Sequence, residues 1–128
     1  YNDAHGQIPP NSYGVHAEPV AQRLRAYGLS AEAIRPFTLD GLKQELANGR
    51  PVMVWVIGPV WPGSGVSYTA PSTDNTSQVA YFEHTVLVIG YGVDYLTFLD
   101  GGITYWRTYE TFASSWGAMN NMAIIIKP

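Results

Sequence analysis

Residues 51–57, PVMVWVI, are apolar almost throughout and rich in β-branched side chains. A run of this length and kind predicts a strand buried on both faces. It follows a helical pattern with almost no spacer. In TLDGLKQELANG (38–49) Thr38 is the natural N-cap, Asp40 suits the positive helix end, Leu39, Leu42 and Leu46 make the buried stripe, and Gly49 ends the helix.

Around this strand the chain separates into a helical and a β part. AEPVAQRLRAYG (17–28) reads as a first helix, with Pro19 in its first turn, Val20, Leu24 and Tyr27 on one face and Gly28 just past its end. HTVLVIGYG (84–92) is a second strand and YLTFLD (95–100) a third, joined through a short hairpin connection at Gly92 to Asp94. GGITYWRTY (101–109) adds a strand after a turn, YETFASSWG (109–117) is a short helix, and MAIIIK (122–127) is a closing strand. Residues 1–16 and 58–81 read as loops, the second long enough to be functional. The pattern is α+β: one domain over 1–128, with a helical part (17–49) packed on a mainly β part (50–128) whose sheet is antiparallel.

Charge and composition remove several classes of function. The net charge is −3, and the seven Lys and Arg residues are scattered without a basic stripe. That argues against nucleic acid and against an anionic membrane surface. No apolar run is long enough to span a bilayer, and no signal peptide opens the chain, which reads as a mature product or a fragment. There is no cysteine, which excludes disulfides and thiolate metal sites. Few Lys and Glu beside abundant Tyr, Thr, Ser, Asn and Gly give an exported character. We therefore expect an extracellular or cell-surface protein.

His84 is the residue that draws attention. It stands at the mouth of a core strand beside the long loop, where it can either satisfy a backbone carbonyl or face a cleft. Asp100 ends the neighbouring strand of the same predicted hairpin, so the start of one strand lies beside the end of the next. An imidazole oriented by a carboxylate is the general-base half of a nucleophilic triad. Asp100 also reads as an ordinary turn opener before two glycines. Glu83 reads as a solvent-facing or strand-capping carboxylate on the face opposite His84.

Other motifs carry less. His5, His16 and His84 lack metal-ligand spacing. GPVWPGS (58–64) has no phosphate-reaching Lys, and GSG (63–65) is no nucleophile elbow. Ser64 and Ser67 are candidate hydroxyl nucleophiles only by nearness in sequence to His84. Asn75-Thr76-Ser77 is a glycosylation sequon, meaningful only in a eukaryotic secretory protein. Trp55 reads as core. Trp61, Tyr68 and Tyr81 either pack the loop or line a peptide- or sugar-binding groove.

Taken in order, YGVHAEPVAQRLRAYGLSA (13–31), LKQELANGRPVMVWV (42–56), EHTVLVIGY (83–91), FLDGG (98–102) and TFASSW (111–116) resemble the C39-like peptidases, a branch of the papain-like cysteine peptidases. The resemblance runs over nearly the whole chain and is thinnest over 58–81. It implies a papain-like fold, peptide-bond hydrolysis by a Cys–His–Asp mechanism, and a peptide or protein substrate. His84 matches the family's catalytic His and Asp100 the Asp that orients it. No cofactor is implied.

The chain departs from the family in one respect. The family's nucleophilic Cys and oxyanion Gln lie upstream of the segment matching YGVHAEPVA, and this sequence starts just ahead of it. Gln7 is not followed by a Cys-led helix. The fold is thus expected to be incomplete at the N-terminus and inactive alone, with apolar surface for a separate N-terminal chain or another subunit to cover. Three readings stay open: a fragment of an active peptidase, a short relative that binds peptides or glycans or serves as a structural subunit, or a chain that has recruited a serine.

Overall fold

In the computed structural model, residues 15–69, 71 and 76–128 are described. His5, Gln7, Asn75 and most of the 1–16 loop reading lie outside them. The elements run α1 (Ala17–Ala26), β1 (Ala31–Ile34), α2 (Leu39–Ala47), β2 (Val52–Ile57), β3 (Val66–Thr69), β4 (Thr76–Val79), β5 (Glu83–Tyr91), β6 (Tyr95–Asp100), β7 (Ile103–Thr108), α3 (Tyr109–Gly117) and β8 (Ala123–Ile126). The class is α+β, as expected.

Six strands form one antiparallel sheet in the order β1-β8-β2-β5-β6-β7. The apolar run that opens the argument, β2, is its third strand. Val52, Val54 and Val56 of β2 pack on one face with Val86, Val88, Leu96 and Phe98, under Leu42 of α2 and Phe112 and Trp116 of α3. Trp55 and Ile57 face the other way, with Ala17 and Ala21 of α1 and with Met119 and Met122. Helices therefore cover both faces, which is why β2 contains no polar residue.

The helix ends follow local chemistry. Thr38 Oγ1 accepts from Gly41 N at 3.0 Å at the start of α2, and Thr108 Oγ1 accepts from Thr111 N at 3.2 Å at the start of α3. Glu18 begins α1, and Arg23 and Arg25 end it, matching the helix dipole.

Several expectations need correction. The stretch 17–49 is not purely helical, because Ala31–Ile34 forms β1 against β8. The stretch 58–81 is not simply loop: β3 and β4 make a separate antiparallel hairpin inside it. Tyr27 is not on the buried stripe of α1; it is 78% exposed, and the fully buried positions are the small Ala17 and Ala21. Leu42 alone of the α2 leucines is fully buried, with Leu46 half-buried and Leu39 exposed.

The segment after β2 is pinned to α3. Ser115 Oγ accepts from Ile57 N at 2.9 Å inside the core, and Ser114 Oγ accepts from Gly63 N at 3.1 Å. Among the described residues no helix is long and apolar enough to cross a membrane, which says nothing about membrane-crossing strands.

Candidate active site

β5 and β6 pair with Leu87 opposite Leu99, and Gly101–Gly102, both at positive φ, turn the chain from β6 into β7. Asp100 thus falls one step past the Leu99 pair, on the face His84 occupies two residues before Val86. His84 Nε2 lies 2.8 Å from Asp100 Oδ1. The imidazole is 40% exposed and the carboxylate 19%. The sequence placed these two strand ends side by side, and the structure brings the side chains into contact.

An ionised carboxylate only accepts, so the hydrogen in this bond belongs to Nε2. The neutral imidazole is then left with its lone pair on Nδ1, and that atom is the one able to take a proton from a nucleophile.

A third residue enters that sequence reading missed. Tyr105 Oη donates to the other carboxylate oxygen, Asp100 Oδ2, at 2.8 Å. Its ring stacks on Phe98 at 5.8 Å between centroids. The Arg107 guanidinium sits 4.4 Å above the Tyr105 ring and donates to the Pro59 carbonyl at 2.9 Å. Burial, then the bond and the charge of Asp100, push the Tyr105 hydroxyl well above the usual phenol range, with Arg107 working the other way. It therefore remains a donor. The signal was present in the sequence: a two-glycine turn after Asp100 fixes Phe98 opposite Tyr105, on the face of Asp100.

Glu83 does lie on the opposite face, paired with Ile57 in the register that pairs His84 with Val56. It is not solvent-facing, however. It sits partly buried, and burial raises its carboxyl to about 7, against the lowering effect of the Trp55 indole. That indole donates to the Val15 carbonyl at 2.9 Å. His16 is likewise held below its usual range, by burial first and then by Arg35.

The serine candidates lie outside the hairpin that carries His84 and Asp100. Ser67 lies in β3, where its Oγ accepts from Gln78 Nε2 at 3.0 Å, and Ser64 is exposed between β2 and β3. Trp55 is core, as expected. Trp61 and Phe82 form an exposed edge-to-face pair, 6.0 Å between centroids, where the chain enters β5. Two concavities, of about 670 and 580 Å³, are lined by neither His84 nor Asp100. The dyad is partly buried, with His84 the more exposed of the two.

The family model described as the Peptidase_C39 like family matches residues 1–124. The uncharacterized protein YvpB of Bacillus subtilis (strain 168) is 27% identical over 117 residues, covering 89% of this chain and 46% of YvpB. A crystal structure described as that of a C39-like peptidase from Bacillus anthracis superposes with a TM-score of 0.78 at 21% identity, covering 91% of this chain and 61% of that one. The chain thus spans less than half of YvpB and about three fifths of the B. anthracis chain.

Proposed function

The chain belongs to the Peptidase_C39 like family, and from that premise we propose that it carries the base and the orienting acid of a Cys–His–Asp peptidase site. The observation behind this reading is the 2.8 Å bond between His84 Nε2 and Asp100 Oδ1, with the imidazole still partly open to solvent. The 128 residues contain no cysteine, so on this reading the thiol comes from polypeptide outside them. These residues then do not cleave peptides alone.

In the complete site His84 Nδ1 takes the thiol proton, and the thiolate attacks the scissile carbonyl. The imidazolium donates its Nε2–H to Asp100, whose charge stabilises it. Collapse of the tetrahedral intermediate releases the amine, protonated from Nδ1, and leaves an acyl thioester. Water, deprotonated by the same imidazole, releases the acid and restores the thiol. The sequence calls for no metal or organic cofactor. The substrate is a peptide or protein, and composition favours a setting outside a bacterial cell.

The test is isolation of the protein from its source, intact mass under denaturing conditions, and a peptide-hydrolysis assay. We expect a mass above 14.1 kDa, or a co-purifying chain carrying a cysteine. Hydrolysis should be stopped by thiol alkylation and by His84→Gln. A single 14.1 kDa species without activity would instead favour a second reading, a non-catalytic peptide- or glycan-binding module. The observation on its side is the exposed Trp61–Phe82 pair, whose Phe82 lies two residues before His84 in the chain.

A further inference from the structure

The His84–Asp100 pair is the end of a longer chain of contacts. Asp100 uses one carboxylate oxygen on His84 and the other on Tyr105, both at 2.8 Å. A carboxylate held through a single oxygen can turn about its Cβ–Cγ bond, and this one is partly exposed. Bonded through both oxygens, its plane is fixed. Tyr105 is itself held on two sides: Phe98, fully buried, stacks on one side of its ring, and Arg107, anchored to the Pro59 carbonyl, lies over it.

We propose that Tyr105 is a positioning residue of this site: its hydroxyl sets the plane of the Asp100 carboxylate and thereby holds neutral His84 in the Nε2–H form, with the basic lone pair on Nδ1. This goes beyond the Cys–His–Asp reading but rests on it, since the tautomer matters for catalysis only if His84 is the base. The hydroxyl does this and the ring does not. Space filling and stacking on Phe98 belong to the ring, and Tyr105→Phe keeps both.

The test reads the tautomer directly, without catalysis. Ring ¹⁵N shifts of His84 are measured by NMR at pH about 8.5, where an ordinary imidazole is neutral. The unaltered protein, Tyr105→Phe and Asp100→Asn are compared. We expect the Nε2–H form to dominate in the unaltered protein. Its ratio to the Nδ1–H form should fall several-fold in Tyr105→Phe, part of the way to the ratio in Asp100→Asn. If Asp100→Asn changes the ratio and a folded Tyr105→Phe does not, the role given to Tyr105 is wrong while the dyad stands. If neither changes it, Asp100 does not orient His84 and the dyad reading itself fails, taking this inference with it. A second measurement needs no variant: the Tyr105 hydroxyl proton, held on Asp100, should exchange slowly enough with water to be seen in the NMR spectrum. Exchange as fast as that of a free phenol would overturn the proposal.

Discussion

His84 and Asp100 meet at 2.8 Å although they stand sixteen positions apart in the chain. The hairpin between them is not regular. Its ladder shifts between Val88 and Gly90, so β5 carries one extra residue on the turn side. That bulge sets the register in which Leu87 faces Leu99. A one-residue slip would send every β5 side chain to the other face and separate the pair. The dyad is thus a product of strand pairing, made at the start of β5, whose Val86 and Val88 are buried in the core, and at the end of β6.

His84→Gln and Asp100→Asn should therefore affect chemistry far more than folding. Both side chains are part-exposed and lie at strand ends, outside the apolar clusters. In the thiol-bearing protein, loss of general acid–base catalysis should lower kcat/KM about 10²- to 10⁴-fold. The melting temperature should stay close to that of the parent. Steady-state kinetics beside thermal melts would decide, and a large fall in melting temperature with kinetics nearly unchanged would contradict this account.

Much of the fold was legible because the relevant signals are local. YLTFLD, with its alternation, matches β6 residue for residue, and the YETFASSWG reading matches α3, whose Thr108 cap makes its bond as a cap should. What escaped depends on distant partners. AEAI (31–34) has no long apolar run; it becomes β1 because AIII of β8, distant in the chain, offers it an antiparallel edge that pairs Ala31 with Ile126 and Ile34 with Ala123. VSYT and TSQV are mostly polar and lie outside the main sheet, so periodicity had little core to report. Glu83 shows the same limit. Alternation assigned its face correctly, but only the tertiary structure shows that this face is occupied by Trp55.

Two glycines should respond oppositely to alanine. A Cβ on Gly65 would collide with the Ala118 carbonyl oxygen, a backbone atom that cannot rotate away. Gly65→Ala should cost about 1–3 kcal/mol, the range for overpacking. Gly90, beside the β5 bulge, has open space around it. Gly90→Ala should be neutral, or stabilising by a few tenths of a kcal/mol through the unfolded chain. Urea titrations of the pair check this, and equal midpoints would show that the segment carrying Gly65 yields.

Ser115 is the polar side chain buried at the junction of α3 and β2. Its Oγ accepts from Ile57 N at 2.9 Å. Ser115→Ala removes the acceptor and leaves that N–H without one in the core. The expected loss is about 1–3 kcal/mol, the cost of stranding a buried polar group. Ser114→Ala, whose Oγ serves Gly63 in an exposed bond, should cost less. Melting curves of the two single variants give the ordering, and a larger loss at Ser114 would reverse the argument.

Glu83 should give the stability curve its pH dependence near neutrality. Its carboxyl is raised from 4.5 to about 7, by burial first, with the Trp55 indole opposing. Between those values the folded protein keeps a proton that the unfolded chain has released. The folded state then binds more protons, so stability falls as pH rises through this window. The whole loss, reached above the folded value, is at most about 3 kcal/mol at 1.36 kcal/mol per unit. Glu83→Gln has the same shape and no proton to lose. It should match the parent near pH 4 and be more stable than it near pH 8, the difference opening between about 4.5 and about 7. Urea unfolding of both proteins across that range measures it. Parallel curves would mean that Glu83 is solvated in the folded protein after all, as a carboxylate at the surface would be.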